Sequence, residues 1–473
     1  ANTTGADNVA IGSVALDANT TGSQNVAIGV AALTSATTAN DNTAIGHNCL
    51  PLNTTGTANV AVGNDSLEQN TTANNNTAIG YRASKGNTTG TQNDALGAFS
   101  LFTNTNGSYN VAIGTIAGYS LNGGNQNTLV GNSAGSGVTT GSDNTFLGRK
   151  AGNSTTTASN NTGIGKDALF SNTTGANNVA VGSLTLDAAT TANNNTAVGQ
   201  GAMSGTTTGA DNTAVGLSAL YSNTTASNNT ALGRSALFAN TTGVNNVAVG
   251  SLCLDANTTG FHNTAVGLQA LSANTTASNN TAVGTNSLLS NTTGAATSAF
   301  GAYALQSCTT GNYNNAFGES SLKDLTTGVS NCAFGGSSLR KTTSGSNNTA
   351  MGESALRLNT TGTQNVAIGS TALDAATTDN NNVAIGHASL TNNNGGENNV
   401  AIGSFALEEN TTANNNTAIG FDALEANTTG VENTAVGANA LDANTTADNN
   451  TAVGYAALTS NTTGEKNTGI GDR

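Results

Sequence analysis

Asn450-Thr451-Ala452-Val453-Gly454-Tyr455-Ala456-Ala457-Leu458-Thr459-Ser460-Asn461-Thr462-Thr463-Gly464 decides the reading of the whole chain, because close variants of these words fill the rest of it. With the leading Asn as position 1, the unit starts at Asn8, Asn25, Asn42, Asn59 and onward to Asn467, always 17 residues apart and without insertion or deletion. Of the 28 starts, 27 are Asn and one is Thr297, while position 5 is Gly in every copy, beginning with Gly12, Gly29, Gly46 and Gly63. A constant period means that each unit follows the same path in space, since one inserted residue would throw every stacked column out of line.

Gly, Asn and Thr recur too densely for a stable helix. The T-A-V stretch reads as a short strand, left at position 5 by a Gly that tolerates positive φ. The N-T-T-G stretch reads as a turn in which Asn and Thr side chains bond local backbone. The expected fold is therefore all-β: a parallel β-solenoid, or β-roll, of about 28 coils, each with two short strands and two turns. Residues 1–473 read as a single continuous repeat array with no separate globular domain. At about 4.8 Å per coil such an array would make a rod roughly 130 Å long.

The copies also show which columns share an interior. Position 9 is usually Leu, as at Leu16 and Leu33, but becomes Gly118, Gly135 and Gly152 in three successive units. In the second and third of these, position 3 changes from Ala to Leu129 and Phe146. Cores conserve volume, so positions 3 and 9 are expected to face one interior. Strand alternation then turns position 4 the other way. Yet position 4 is apolar in every copy, from Ile11 and Ile28 to Phe300, Phe317, Phe334 and Met351. We count these side chains as core that needs a second surface, which predicts lateral packing of several chains, three being the expected number. The alternative places position 4 inside the coil and position 3 in a second small pocket.

Composition narrows the function. Charged residues make up 8% of the chain, against about 25% in ordinary globular domains. The net charge of −14, with only the isolated basic pairs Arg149-Lys150 and Arg340-Lys341, argues against nucleic acid or anionic membrane as partner. No apolar run reaches the ~18 residues of a membrane span. Cys49 and Cys253 stand where most copies have Ala, Cys308 and Cys332 at two unlike positions, and no C-x-x-C pairs them. The sequence opens without Met and partway through a unit, which reads as a processed product or a segment of something longer.

The run Asn-Val-Ala-Ile-Gly-Ser-x-Ala-Leu, at Asn8 to Leu16 and Asn365 to Leu373, resembles the head repeats of trimeric autotransporter adhesins, the YadA-like heads. The longer version at Asn450 to Gly464, and at Asn416 to Gly430 with Ile for Val, is similar to repeat arrays of bacteriophage tail fibres and bacterial surface proteins. The resemblance spans the whole chain, although the usual head repeat is shorter than 17 residues. It implies a left-handed β-roll, a homo-oligomeric and specifically trimeric rod, and an extracellular, cell-surface or virion-surface location.

No constellation for catalysis emerges. Gly131-Asn132-Ser133-Ala134-Gly135 matches a nucleophile-elbow spacing but lies inside the repeat without a His and acid beside it. Gly163-Ile164-Gly165-Lys166 is followed by Asp167, not by the Ser or Thr a phosphate loop needs. His47, His262 and His387 are far apart in sequence, and acids at position 10 (Asp17, Glu68, Asp187, Asp255, Asp374, Glu408, Glu425, Asp442) read as a solubilising face. No cofactor or metal is expected, and no enzyme. The N-T-T triplet, present sixteen times, is both a turn ladder and a glycosylation sequon, with Asn19, Asn70, Asn172, Asn257 and Asn427 as candidates. The expected function is a structural fibre or filament, adhesive and glycosylated in its fuller form, whose partners are copies of itself, laterally and end to end, together with glycans. A glycan- or receptor-binding fibre is the alternative. An ice-binding solenoid is a further one, weakened because adjacent threonines should face opposite ways.

Overall fold

The computed structural model describes residues 2–472, and the chain divides into two compact units, Ala1–Thr242 and Gly243–Arg473. Each unit is a parallel β-solenoid with a 17-residue coil. The first carries fourteen three-residue strands, from Val9–Ile11 to Thr230–Leu232, and the second another fourteen, from Val247–Val249 to Thr468–Ile470. Every strand occupies positions 2 to 4, and within each unit every strand but the last pairs in parallel with the strand one coil on. Val26, Ala27 and Ile28 face Thr43, Ala44 and Ile45 in the first unit, and Thr281, Ala282 and Val283 face Ser298, Ala299 and Phe300 in the second. There is no helix among the described residues.

The coil departs from expectation in one respect. It has one strand, not two. Where a second strand was expected, positions 6 to 10 form turns in which positions 7 and 9 have positive φ, as at Ala31 (59°) and Leu33 (51°). Leucine in the left-handed region costs about 1–2 kcal/mol. What offsets that cost is the aim of the amides. Ala31 N–H donates to Ser13 O of the preceding coil and Leu33 N–H to Cys49 O of the following coil, both at 3.0 Å, while Ala32 N–H closes a turn on Gly29 O. Alternating hands of the backbone thus point successive amides up and down the stack, so the turn is laddered as fully as the strand.

Six of the seventeen positions are enclosed: 1, 3, 8, 9, 12 and 15, as in Asn25, Ala27, Ala32, Leu33, Ala36 and Ala39. Positions 3 and 9 do share the interior. A methyl group added to Gly135 would come within 2.6 Å of Leu129 Cδ2, and one added to Gly152 within 2.3 Å of Phe146 Cε2. Phe146, fully enclosed, fills the space at Gly152 and also comes within 3.2 Å of where a methyl on Gly135 would lie. The following coil contributes as well: Gly163 replaces the usual Ala of position 3, where a methyl would lie 3.0 Å from Phe146 Cδ1. Leu16, Leu33, Leu129 and Phe146 are therefore interior residues.

An interior this narrow holds little apolar volume, and two asparagine columns complete it. At position 1, Asn178 Nδ2 donates to Asn161 Oδ1 at 3.2 Å and to Ala192 O at 2.8 Å. Its own Oδ1 accepts from Asn195 N–H at 3.0 Å and Asn195 Nδ2 at 3.3 Å. The N–H-to-Oδ1 and Nδ2-to-carbonyl bonds of this pattern recur along the column, as at Asn263, Asn382 and Asn416, while the Nδ2-to-Oδ1 bond is made in only some coils. Thr297 keeps only part of it: its N–H donates to Asn280 Oδ1 and its hydroxyl to Gly311 O.

Candidate interaction face

Position 12, the Asn of N-T-T, forms the second interior column. Asn19, Asn70, Asn172, Asn257 and Asn427 are all fully enclosed. Asn70 Nδ2 donates to Asn53 Oδ1 and Ala73 O, and Asn427 Nδ2 to Asn410 Oδ1 and Gly430 O. Asn19, Asn172 and Asn257 likewise donate to the position-15 carbonyls of Gly22, Gly175 and Gly260. An N-linked glycan is attached at this nitrogen. In the folded coil the nitrogen is packed and bonded, which favours the turn-ladder reading of these five residues over the sequon reading. The adjacent threonines diverge. Thr20 and Thr173 hydroxyls donate to Thr37 O and Thr190 O of the next coil, whereas Thr21 and Thr174 face solvent. They do not make a paired threonine row.

Ladder ends are visible where position 12 changes. Asn19, Asn172, Asn291 and Asn359 each have a buried Oδ1 without a donor, and the residues one coil on are Ala36, Ala189, Cys308 and Ala376. At Ala376 the chain compensates. Asp379, at a position-15 site that elsewhere holds Gly or Ala, turns inward and accepts from Asn393 Nδ2 at 2.6 Å and Gly395 N–H at 2.8 Å. The carboxylate takes the place of the missing amide oxygen.

In each unit the outward surface of the strands is apolar along the stack. Ile11, Ile28, Phe300, Phe317 and Phe334 point away from the interior, with Ile11 59% and Phe334 38% exposed. They are not part of the chain's own core, and the arrangement with position 4 inside the coil does not occur. Val and Thr of position 2 flank them on the same face, because strand alternation puts positions 2 and 4 on one side. In the second unit the column becomes aromatic: Phe300, Phe317 and Phe334 stack in parallel at 4.7 and 4.5 Å, and Met351 follows. Cys332 lies at position 2 beside them and is half-buried, whereas Cys49, Cys253 and Cys308 are enclosed. Burial pushes those three thiols up, to about 11, 12 and 11. Thiols raised so far are unreactive at neutral pH.

The other residues singled out by sequence are dispersed. Ser133 is nearly enclosed and its hydroxyl donates to Asn132 Oδ1. Lys166 pairs with Asp167 at 3.7 Å. His47 bonds Asn64, His262 bonds Asn245, and His387 lies edge-on to Phe405. Among the described residues no group of three His, Cys, Asp or Glu is placed to hold a metal ion. No helix among the described residues is long and apolar enough to cross a membrane. Two side-chain clusters emerge only with the fold, the second joining three of the position-10 acids to Asp422 and Glu409. Tyr81, Phe99, Phe102 and Tyr119 occupy positions 6, 7, 10 and 10, yet form one aromatic cluster with centroids 5.0 to 5.5 Å apart along its chain of contacts. Glu408, Asp422, Glu425 and Asp442, with Glu409, gather on one side of the second unit.

That acidic group sets a pH dependence. Partial burial first, then mutual repulsion, raises the carboxyls of Glu408, Asp422 and Glu425 above their ordinary range. Burial raises Asp379 too, against the hydrogen bonds it accepts. Such groups hold protons more firmly folded than unfolded, so their contribution is complete below the ordinary carboxylate values and is lost as pH rises through the raised ones. Asp65 opposes them in the first unit. Burial raises it, but hydrogen bonds from Asn48 and Arg82 outweigh that and lower it. The expected result is a second unit whose urea midpoint increases between pH 7 and pH 4, followed by amide hydrogen exchange in residues 243–472. Glu425→Gln should raise the neutral-pH midpoint and flatten the slope. A midpoint that falls on acidification in both proteins contradicts this account.

No protein-family model and no curated protein matches this chain.

Proposed function

We propose that the chain is a non-catalytic structural fibre segment that packs laterally against copies of itself, three in number, on the outside of a cell or on a virion. The observation that carries the reading is the outward apolar column at position 4 in each unit, with the Phe300–Phe317–Phe334 stack of the second unit as its broadest part. Burial of such side chains is worth about 25 cal/mol per Å². A stripe along a regular solenoid is matched best by another stripe of the same period, which a second copy in register supplies. The resemblance to YadA-like heads supports three chains and a surface location, and the repetition of one coil supports a scaffold role over a catalytic one.

Sedimentation of the purified chain across a range of concentrations, together with electron microscopy, tests this. The expected result is rods with three times the monomer mass, shifted toward monomer by Phe317→Lys. Cys332 gives an independent readout, since it is the one thiol of the four that is not enclosed. A short bis-maleimide should join chains through it, and Cys332→Ser should abolish the product. Compact monomers without rods, and no cross-linked species at any concentration, would overturn the proposal.

A further inference from the structure

The second unit is interrupted at one point on its exposed edge. Position 6 holds Glu319, Gly336 and Glu353 in three successive coils, and a methyl group added at Gly336 would meet nothing within 4 Å. The missing side chain opens a cavity of about 510 Å³ between the two carboxylates. Lys323 and Arg340, both at position 10, line it together with Tyr303.

Its charges are unused. Lys341, next to Arg340, pairs with Asp324 at 3.0 Å. Lys323 and Arg340, in contrast, make no ion pair among the described residues, and neither do Glu319 and Glu353. The Lys323 ammonium lies over the Tyr303 ring, 5.3 Å from its centre. The Arg340 Nε is enclosed and has no acceptor. The two cations are half-buried and the two carboxylates exposed. Coulomb attraction grows as water is excluded, so the inner part of the cavity is effectively positive while the outer rim keeps hydrated acceptors.

We propose that this cavity binds an acidic sugar residue. A carboxylate on the ring supplies the planar acceptor that the Arg340 guanidinium lacks, with Lys323 as second cation. Ring hydroxyls donate to Glu319 and Glu353, which stand two coils apart, about 10 Å along the stack, a span a pyranose with its substituents fills. A simple anion meets only the inner half of this arrangement, and a neutral sugar only the outer half. The proposal is independent of the fibre reading, since a single chain contains the whole site.

Titration calorimetry on the full chain, with sodium D-glucuronate as the probe, tests it. One saturable site is expected, with methyl β-D-glucoside and acetate each weaker by about tenfold or more, which corresponds to the loss of one good polar contact set. Gly336→Gln should abolish binding by filling the gap. Gln already stands at position 6 as Gln200, and Gly336 does not have positive φ, so this side chain suits the column. Arg340→Gln should weaken glucuronate at least tenfold and leave the thermal melt in place. The proposal fails if glucuronate shows no saturable binding, if acetate binds as well as glucuronate, or if both variants bind it undiminished.

Discussion

Gly369→Ala should destabilise the second unit by more than about 3 kcal/mol, whereas Gly362→Ala, seven residues earlier in the same stack, should cost about 1 kcal/mol or less. Both glycines have a carbonyl oxygen of the next coil close above them. A methyl on Gly369 would fall 2.3 Å from Gly386 O, and one on Gly362 2.3 Å from Asp379 O. Crowding alone therefore does not distinguish them. The backbone does: Gly369 has φ of 137°, a region that L side chains rarely enter, and Gly362 does not have positive φ. The sequence has already run the control experiment. Position 15, to which Gly362 belongs, is Ala in eight coils, including Ala192 and Ala413, while position 5 is Gly in all 28. A small shift of one coil accommodates a methyl at position 15. At position 5 the same methyl requires a different backbone, which breaks the bond from Gly369 N–H to Met351 O as well. Urea unfolding of both variants, with hydrogen exchange to locate the opening, gives the measurement. Equal losses in the two would remove the argument.

What was legible in the sequence follows the same division. Bulk exchanged between columns leaves a trace in residue types, so the shared interior of positions 3 and 9 could be read from Gly135, Gly152, Leu129 and Phe146. Gly163 was missed because Gly for Ala is a small change, although it makes room for the same ring. Backbone hand leaves no such trace. Leu33 looks like a strand residue, and only the bonds from Ala31 and Leu33 to opposite neighbours show why the chain turns there with positive φ. The enclosed N-T-T asparagines did carry a signal. Position 12 is elsewhere Leu121, Val138 and Leu325, all buried, and apolar replacements in a column mark it as interior. The Gly336 cavity lay beyond sequence reasoning, because a missing side chain matters only once its neighbours two coils apart are placed on either side.

Asn178→Ala should cost about 3–5 kcal/mol, nearly as much as a large cavity in an apolar core, although it removes only a polar side chain. The substitution deprives the Ala192 carbonyl of its donor and the Asn195 N–H of its acceptor, inside a coil where no water replaces them. Each orphaned buried group costs about 1–3 kcal/mol, while the lost transfer energy of the amide itself runs the other way. Asn195 Nδ2 is spared, since it still donates to Gly209 O at 2.9 Å. Asn178→Thr separates the two contributions. Thr297 shows what a hydroxyl retains at this position: a donor to the carbonyl fourteen residues on, Gly311 O, without the amide oxygen that spans to the next coil. The threonine variant should therefore lose about half of what the alanine variant loses. Thermal and urea melts of the two, with protection of Asn195 N–H followed by hydrogen exchange, test the point. If the alanine variant stays within about 0.5 kcal/mol of the parent, the asparagine column is a passenger, and stacking of the backbone alone holds the coils in register.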